Sequence, residues 1–518
     1  MTHAPAGDAV GSGSRPLPEQ SEGVDPSGAR WWYSARAGDG TSRDMRNIRR
    51  DEPAIERPLG ATEELFWRFD GLTPINFAIT ARITGPLTDE VLRGALDAVQ
   101  ARHPRLRVRV EDNGRRRPWF RSGAGPIPLR IVEERRRSVW EFVEDEVVGL
   151  LDTDRGPLMR CVCLRDDPNT HTLILVFQHS ISDGKSGVFI VRDIVQAAAQ
   201  IVKDGEAHLE PLPPRAYVQD YFPDDLDGMG HVKSAWQTTS ALAGAALRYG
   251  MPFGLRPNSG LALQRLKVAV VPFELEPELT SLLAKRAREE GTTVHGALFA
   301  AFALATVEDS YRRRRGFPMV LASAVDLRRY LVPPIDEDCG YFVAGTASLH
   351  KVGDDTSFWM LAREIREALQ GAIDANMHLL LMPEPHRLFA WAGRKVGRRL
   401  ARPFARTISF VHPGSVLLSN LGRFTFDQQW GPFYIKSVGF AGNNAILANF
   451  NSTVATLGGR LVWCFIGSVP IVSRSRLERI GDGSFAKLCG ALGVSVEDAR
   501  AKMREAATVA PPKPQAAE

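Results

Sequence analysis

Strand-like and helix-like segments alternate along most of this chain, and this alternation limits the possible folds more than any other feature of the sequence. Residues 76–84 alternate apolar and polar side chains as a half-buried strand does. Leu92 and Leu96 repeat at the spacing of one helix face. A similar order of strands and helices returns after residue 263. We therefore predict an α/β fold of the α+β kind, built of two lobes that are each a mixed sheet with flanking helices.

Composition divides the chain into five predicted regions. Its two ends are rich in Gly, Ser, Pro or charged residues and lack apolar periodicity, which is typical of disordered segments. Four prolines between residues 211 and 223 interrupt helix and strand near the middle. We expect a disordered leader (1–56), an N-terminal lobe (57–204), an inter-lobe connection (205–262), a C-terminal lobe (263–504) and a disordered tail (505–518). The apolar island Trp31-Trp32-Tyr33 in the leader either docks on the body or a partner, or has no docking role.

Overall composition excludes several classes of protein. Of the 518 residues, 44% are hydrophobic and 24% are charged, the mixture of a water-soluble globular protein. The apolar runs are shorter than the roughly 20 residues that cross a bilayer, and no basic start followed by an apolar run opens the chain. We expect a cytoplasmic protein, with peripheral membrane contact as an alternative. The net charge of +5 favours acidic partners, but the sequence contains no nucleic-acid-binding module, so nucleic acid is not an expected partner.

The cysteines and histidines do not predict a metal site. Cys161 and Cys163 lie in a strand-like run, and none of the five cysteines has metal-ligand spacing. Buried free thiols in a reducing compartment are therefore expected. No pair of histidines has metal-ligand spacing either. We predict that no metal is bound.

The segment Gln178-His179-Ser180-Ile181-Ser182-Asp183-Gly184 is the strongest chemical signal in the sequence. It follows the apolar run 173–177, and a helix is predicted from about residue 186 to residue 201. A histidine placed between a strand end and a helix start would be held in position by the short polar loop. Gly184 fits a position that needs unusual dihedral angles or close backbone approach. Histidine suits the role of general base because its pKa is close to cellular pH. The alternative is a hydrogen-bonded histidine without a catalytic role.

This segment resembles the His-His-x-x-x-Asp-Gly signature of a superfamily that contains condensation domains and chloramphenicol-acetyltransferase-like acyltransferases. Residues 92–107 are similar to its first helix and following strand. Asp326-Leu327-Arg328 and Gly340-Tyr341-Phe342 are similar to its Asp-Leu-Arg and Gly-Asn-Phe patterns. Ser419-Asn420-Leu421-Gly422 resembles the Ser-Asn-Leu-Gly stretch of the polyketide-associated, mycobacterial-type branch. Together these matches cover about residues 58–490, and Gln178 in place of the first histidine is the one departure in the signature.

The resemblance implies two chloramphenicol-acetyltransferase-like lobes with an active-site tunnel between them. An acyl thioester of coenzyme A or of a phosphopantetheinyl carrier protein would be a co-substrate, and no cofactor would be bound permanently. His179 would be the general base, and Asp183 would pair with Arg328 to fix the loop. Gln178 and Gly184 would support the same loop. A surface arginine is the alternative for Arg328.

Two other groups of residues keep open roles. Ser419 and Asn420 either line the tunnel or the contact between the lobes, or form an ordinary turn. Several basic residues would share one helical face and could bind coenzyme A phosphates, an acidic carrier protein or an anionic membrane, or form a solvated face. They include Arg394, Lys395, Arg398 and Arg399.

The resulting prediction is an O-acyltransferase of lipid or natural-product biosynthesis that acts on a small-molecule hydroxyl acceptor. An amide-forming condensation enzyme is the near alternative. A catalytically silent module that binds a carrier protein is the second alternative, and a membrane-surface lipid or wax-ester synthase is the third. We expect a monomer.

Overall fold

The computed structural model of the chain describes nine segments, namely residues 30–32, 55–70, 73–113, 117–133, 137–223, 267–310, 316–380, 416–443 and 450–508. The basic residues predicted to contact an anionic donor or partner (Arg394, Lys395, Arg398 and Arg399) lie outside these segments. Most of the predicted leader and of the predicted inter-lobe connection also lie outside them. Within the described segments, no helix is both long enough and apolar enough to cross a membrane.

The N-terminal half alternates strands and helices. Its elements are β1 (Arg30–Trp32), β2 (Arg57–Pro58), α1 (Ala61–Asp70), β3 (Asn76–Thr84), α2 (Asp89–Arg102), β4 (Val108–Glu111), β5 (Trp119–Ser122), β6 (Leu129–Val132), α3 (Val139–Val148), β7 (Met159–Asp167), β8 (Thr170–Gln178) and α4 (Gly184–Asp204). Polar side chains cap the helix starts. Thr88 Oγ1 accepts from the Val91 N–H ahead of α2, and Ser138 and Glu141 form a capping box at α3.

The C-terminal half repeats this alternation with longer strands. Its elements are β9 (Lys267–Leu275), α5 (Pro277–Glu289), α6 (Val294–Ser310), β10 (Phe317–Asp326), β11 (Val343–Val352), α7 (Phe358–Asp374), α8 (Met377–Leu380), β12 (Val416–Phe424), β13 (Gln429–Trp430), β14 (Phe433–Gly442), β15 (Phe450–Leu457), β16 (Arg460–Val469), α9 (Arg474–Leu492) and α10 (Val496–Thr508). Helix α6 is apolar around most of its circumference because it is buried between α7 and α9.

The described strands form two large sheets and one small one. The first large sheet has the order β1-β6-β7-β8-β3-β14-β13, and the second has the order β11-β10-β12-β15-β16-β9. Strands β2, β5 and β4 form the small sheet. Both large sheets mix parallel pairs, such as β6–β7 and β12–β15, with antiparallel pairs. The predicted α/β fold with two mixed sheets and flanking helices is confirmed.

Strand β14 crosses between the two halves. It follows β12 and β13 in the chain but pairs antiparallel with β3, so that Phe440 lies opposite Ile79 and Gly442 lies opposite Phe77. Residues 429–442 therefore complete the sheet of the N-terminal half. The predicted division of the lobes at residue 263 separates the helices but does not separate the sheets. Apolar periodicity could not reveal this pairing, because it identifies a strand without identifying its partner.

The hydrophobic core also joins the halves. Helix α3 contributes Val143 and Val147 to a buried cluster that contains Val268 and Val270 of β9. The largest cluster of the N-terminal half includes Leu421, which lies on β12. Apolar burial across the division stabilises the two halves against separation, because the buried area is lost from both if they part.

Both predicted disordered ends need correction. The backbone of β1 pairs with β6, Arg30 opposite Ile131, so the leader is not disordered throughout. Ile55 is buried and β2 begins at Arg57, so the fold starts slightly before the predicted boundary. Helix α10 ends at Thr508, beyond the predicted start of the tail at residue 505. The exposed edge of a sheet can pair with a short segment that lacks strand periodicity, and Ala-rich sequence extends a helix without amphipathicity.

Candidate active site

His179 lies directly after β8, where the strand turns towards α4. The turn is closed by a hydrogen bond from the Ile181 N–H to the Gln178 carbonyl at 3.2 Å. The His179 N–H donates to the Ile75 carbonyl at 3.4 Å, which ties the loop to the residue before β3. The imidazole is 8% exposed. Its position is therefore set by the backbone of a central strand rather than by a mobile surface loop.

The hydrogen bonding of the imidazole defines which nitrogen can accept a proton. Nδ1 lies 3.3 Å from the carbonyl oxygen of Ser182. A carbonyl oxygen only accepts, so Nδ1 carries the hydrogen and Nε2 carries the lone pair. Among the residues that the structure describes, no hydrogen-bond partner occupies Nε2. This arrangement suits a base that receives a proton from a substrate.

Three aromatic rings surround the imidazole. The ring centroids of Phe77, Phe66 and Tyr341 lie 4.5, 5.2 and 5.7 Å from that of His179. Burial lowers the pKa of His179 to about 4, and the Ser182 carbonyl and the charge of Asp183 oppose this shift only in part. Desolvation disfavours the imidazolium, so His179 is neutral at cellular pH and able to act as a base.

Asp183 and Arg328 form a buried ion pair across the two halves. Arg328 Nη1 and Nη2 each donate to one carboxylate oxygen of Asp183 at 3.0 Å, and the two residues are 4% and 1% exposed. The pairing that the resemblance implies is thus present in the geometry, and Arg328 is not a surface arginine. Bidentate pairing of this kind fixes geometry more than it adds net stability.

Further hydrogen bonds complete this anchor. The Asp183 carboxylate also accepts from the Ser186 N–H at 2.8 Å, as the N-cap of α4, and from the Phe342 N–H at 2.9 Å. Arg328 Nη2 donates to Ser186 Oγ at 2.8 Å, and Nη1 donates to Asp326 at 3.0 Å. Asp183 therefore contacts no open space, and its hydrogen bonds join the loop to the other half of the chain.

Gly184 is required by close packing rather than by its dihedral angles. It is the first residue of α4 and does not have a positive φ. A Cβ atom at Gly184 would lie 2.6 Å from Cδ2 of Leu421, which is itself buried. The second of the two predicted reasons for this glycine, close approach, is therefore the one that the structure supports.

Gln178 is wholly buried beside the loop. Its Oε1 accepts a short hydrogen bond from Ser180 Oγ. Its buried Nε2 makes no hydrogen bond of ordinary geometry within the described segments, but the Gln178 side chain interacts with the Asp70 carboxylate and opposes the rise in its pKa that burial causes. Gln178 thus braces the turn through Ser180 and does not contact Nε2 of His179 through a hydrogen bond.

The Ser-Asn-Leu-Gly segment lies at the end of β12. The Asn420 side chain accepts from the Gly422 N–H at 2.8 Å, a local turn bond at an irregularity in the pairing with β15. Gly422 has a φ of +81°, which suits glycine. Leu421, rather than Ser419 or Asn420, contacts Gly184 of the loop. A tunnel-lining role for Ser419 and Asn420 stays a prediction.

The described segments contain no group of three or more His, Cys, Asp or Glu residues placed to hold a metal ion. All five cysteines are free and buried. Burial raises the pKa of Cys339 to about 12, although its thiol lies beside the His179 loop and contacts the Ile181 carbonyl at 3.4 Å. That thiol is therefore protonated at cellular pH and is not a nucleophile.

Comparison with known proteins adds family information to this geometry. A family model described as the phthiocerol/phthiodiolone dimycocerosyl transferase C-terminus matches residues 264–461. The chain is 28% identical over 344 residues to phosphinothricin tripeptide synthetase PhsC from Streptomyces viridochromogenes, covering 62% of this chain and 31% of that protein. It is 26% identical over 296 residues to nonribosomal peptide synthetase kk1B from Curvularia clavata, covering 56% and 2%. The chain thus spans less than a third of the length of either synthetase.

Solved structures share the fold at low sequence identity. Polyketide synthase associated protein 5 from Mycobacterium tuberculosis matches with a TM-score of 0.60 and 18% identity, over 85% of this chain and 98% of that one. Together, the family model, the relatives and the shared fold support a resemblance of this chain to the superfamily of condensation domains and chloramphenicol-acetyltransferase-like acyltransferases. Within the superfamily fold, a trichothecene 15-O-acetyltransferase from Fusarium sporotrichioides matches with a TM-score of 0.64 and 14% identity, over 84% and 95% of the two chains.

The family model covers only one side of the site. Residues 264–461 include Arg328 and the Ser-Asn-Leu-Gly segment. His179 and Asp183 precede the matched residues. Their assignment to the superfamily signature therefore depends on the sequence segment itself and on the ion pair with Arg328.

Sequence reasoning did not single out several residues that shape the site. Phe66 and Phe77 contact the imidazole from α1 and β3, and Leu421 packs on Gly184. Each of them looks like an ordinary core residue in sequence. Tyr341 lies inside the recognised Gly-Tyr-Phe segment, so the tyrosine in place of asparagine was the one available signal.

Proposed function

We propose that this transferase moves an acyl group from a thioester, of coenzyme A or of a carrier protein, to a hydroxyl acceptor. The proposed general base is His179. The observation that carries the proposal is a neutral imidazole whose Nδ1 is held by the Ser182 carbonyl and whose Nε2 keeps its lone pair. Similarity to the superfamily supports the same class of reaction.

The proposed step needs only the two substrates and the imidazole. Nε2 of His179 takes the proton of the hydroxyl while its oxygen forms a bond to the thioester carbon. The tetrahedral intermediate then expels the thiolate as the carbon–sulfur bond breaks. The imidazolium returns the proton to the sulfur, so the base is restored. No permanently bound cofactor enters this scheme.

The aromatic surroundings support the proposal by excluding water from the base. Phe66, Phe77 and Tyr341 occupy the space in which water would otherwise solvate the imidazole. A thioester bound there would react with the acceptor rather than with water. Asp183 and Arg328 act as positioning residues, because they contact the loop and not the reacting atoms.

Thiol release from acyl-coenzyme A in the presence of candidate alcohols tests the proposal. His179→Ala should lower kcat by about 10²- to 10⁴-fold, the usual contribution of a positioned base, with little change in melting temperature. His171→Ala is the matched control. His171 is also buried, but it lies near the opposite end of β8, roughly 25 Å away at the usual rise per strand residue. Unchanged turnover in His179→Ala would refute the assignment of the base.

An amide-forming reaction is the second candidate, because the curated relatives described above are peptide synthetases. The same base would then take a proton from an amine acceptor. Replacing the alcohols by amines in the thiol-release assay separates the two reactions. Ester product with alcohols and none with amines supports the first proposal.

A silent binding module is the remaining candidate on sequence grounds. It would bind a carrier protein and show no turnover with any thioester, whether alcohol or amine is supplied. We further propose a cytoplasmic monomer. Salt-sensitive binding to anionic liposomes, lost on neutralising Arg398 and Arg399, would instead support a membrane-peripheral enzyme.

A further inference from the structure

Asp70 is a buried carboxyl group at the C-terminal end of α1, beside the loop that carries His179. It is 8% exposed, and none of the ion pairs between described residues includes it. Burial raises the pKa of Asp70 to about 6, although the Ile75 N–H, the Gln178 side chain and the charge of Arg160 oppose the rise. The helix dipole also disfavours a carboxylate at this end of a helix. A carboxyl group kept in so unfavourable a position is typical of functional sites.

The first connection from Asp70 to the loop runs through the backbone of Ile75. Asp70 Oδ1 accepts a hydrogen bond from the Ile75 N–H at 3.0 Å. The Ile75 carbonyl in turn accepts from the His179 N–H at 3.4 Å. Ile75 is buried, and a buried backbone group without a partner is costly, so both bonds constrain the chain. The backbone of the proposed base is therefore held by a residue that Asp70 holds.

The second connection runs through the amide group of Gln178. The Gln178 side chain interacts with the Asp70 carboxylate, and its Oε1 accepts a short hydrogen bond from Ser180 Oγ. Gln178 and Ser180 are the two sequence neighbours of His179, and both are wholly buried. A glutamine suits this position because one amide group can donate and accept at the same time. Asp70 is thus joined to the chain on both sides of the base.

We propose that Asp70 is a positioning residue, which holds the His179 imidazole in its reactive orientation through Ile75 and Gln178. Its hydrogen bonds go to the groups beside His179 and not to the imidazole, so it acts on the geometry of the base. A displacement of about 1 Å at a reacting group can cost roughly 10²-fold in rate. The effect on rate rests on the proposed acyl transfer, whereas the hold on the loop does not.

Both connections need an acceptor oxygen at residue 70 rather than a negative charge. A protonated carboxyl group keeps its carbonyl oxygen, which still accepts from the Ile75 N–H, and an acid can pair with the Gln178 amide through two hydrogen bonds. Asp70→Asn keeps the shape of the side chain and the same acceptor oxygen. Asp70→Leu has a similar shape but no acceptor, so this variant removes both connections.

Steady-state kinetics with acyl-coenzyme A and an acceptor that gives product test the effect on turnover. Asp70→Leu should lower kcat by about 10- to 10²-fold with little change in KM, because the base is misplaced while substrate binding is kept. Asp70→Asn should keep most of the parent's kcat. Asp309→Asn is the matched control, since it alters a buried carboxylate that pairs with Arg476 away from the site, and folded protein should keep the parent's kcat.

Gln178→Leu interrupts the second connection from its other end. It should lower kcat by less than Asp70→Leu does, because the bond to Ile75 remains. The double variant Asp70→Leu/Gln178→Leu should be no slower than Asp70→Leu alone, and losses that multiply would overturn the connection through Gln178. If melting curves show that Asp70→Leu does not fold, Gln178→Leu decides, and a kcat equal to the parent's would overturn the role.

Amide hydrogen exchange, resolved by residue with NMR, tests the hold on the loop without turnover. The His179 N–H donates to the Ile75 carbonyl, whereas the amide of Leu175 lies within β8 between β3 and β7 and serves as reference. The ratio of the exchange rate at His179 to that at Leu175 should rise about tenfold in Asp70→Leu, the size of one lost hydrogen bond. The ratio should stay at the parent's value in Asp70→Asn.

The proposed function and the role of Asp70 can fail separately. A parent protein that turns over no thioester overturns the proposed function, and the exchange ratio still decides whether Asp70 holds the loop. A parent that turns over, with Asp70→Leu keeping the parent's kcat, overturns the positioning role. A lower kcat without a raised exchange ratio also overturns it, because the loss then has another cause. A lower kcat together with a raised ratio supports it.

Discussion

The two ends of one short loop have opposite surroundings. His179, at the end of β8, is enclosed by three aromatic rings and has one hydrogen bond from its imidazole, to a carbonyl in the same loop. Asp183, at the start of α4, accepts four hydrogen bonds, three of them from Arg328 and Phe342 of the other half. Four positions in sequence thus separate the proposed base from the residue that ties the loop to the other half.

These two environments let one loop both keep an imidazole neutral and hold its own backbone in place. An apolar environment keeps the imidazole neutral and its Nε2 open, but it contributes little that holds the loop in place. The ion pair and hydrogen bonds of Asp183, four residues later, hold the loop in place at a distance from the His179 imidazole. Substitutions at the two ends should therefore separate effects on rate from effects on stability.

Asp183→Ala should have the largest combined effect, because it leaves the Arg328 guanidinium buried and unpaired. We expect a loss of about 3–5 kcal/mol in the free energy of unfolding, together with loss of turnover. Urea unfolding and thiol release measure the two effects. Asp309→Ala is the matched control, since it breaks a buried pair with Arg476 away from the site and should destabilise the fold while folded protein keeps its turnover. An Asp183→Ala variant that melted like the parent yet lost all turnover would contradict the anchor.

Gly184→Ala tests how tight packing against Leu421 affects the stability and activity of the loop. The new methyl group would lie 2.6 Å from Leu421, so overpacking should cost about 1–3 kcal/mol of stability and displace the loop. Truncating the neighbour in the double variant Gly184→Ala/Leu421→Ala should recover part of the turnover. Denaturation and kcat measurements on both variants check this. If the double variant is no more active than Gly184→Ala alone, the contact is not the cause.

The pH dependence of kcat/KM tests the His179 end of the loop. A base must be neutral, and burial lowers the pKa of His179 to about 4, so activity should be level from pH 8 to about 5 and fall as pH drops through about 4. The free energy of unfolding should fall earlier, between about pH 6.5 and about 4, because in that range the unfolded chain binds a proton at His179 while the folded chain does not. Circular dichroism at each pH separates unfolding from titration. An acid limb near pH 6.5 that persists in Asp70→Asn, which removes a buried carboxyl whose pKa is raised to about 6, would show that the imidazole is solvated in the free enzyme.

Gln178→His restores the histidine of the superfamily signature and should have the smallest effect. Gln178 is buried and bonds to Ser180, so it supports the turn rather than the reaction. We expect a change in kcat/KM well below the roughly 10²-fold contribution of a positioned base. The thiol-release assay measures it, with His179→Ala as reference. A gain of that size or more would mean that Gln178 limits the present activity.

Local signals in the sequence predicted the loop well. The run ending at Phe177 reads as a strand, and the predicted helix that begins near residue 186 is observed from Gly184. The polar residues between them mark the turn. These features depend on residues within a few positions in the sequence, so they can be predicted without a structure.

Contacts between distant residues were harder to predict. The pair of Asp183 and Arg328 spans 145 positions, and only the resemblance indicated it. The four residues of the basic segment lie outside the described part of the chain, so their predicted role is unchanged. The joining of β14 to β3 had no signal at all, because strand periodicity does not encode a partner.

The sequence by itself determined that a histidine would stand between a buried strand and a capped helix in a mixed α/β fold. Only the tertiary structure decided that this histidine is neutral, that its Nε2 is open and that the Tyr341 ring packs against it. The physical reason is that dihedral preferences and caps are local properties of the chain. Desolvation and packing, in contrast, depend on side chains that folding brings together from α1, β3 and the segment before β11.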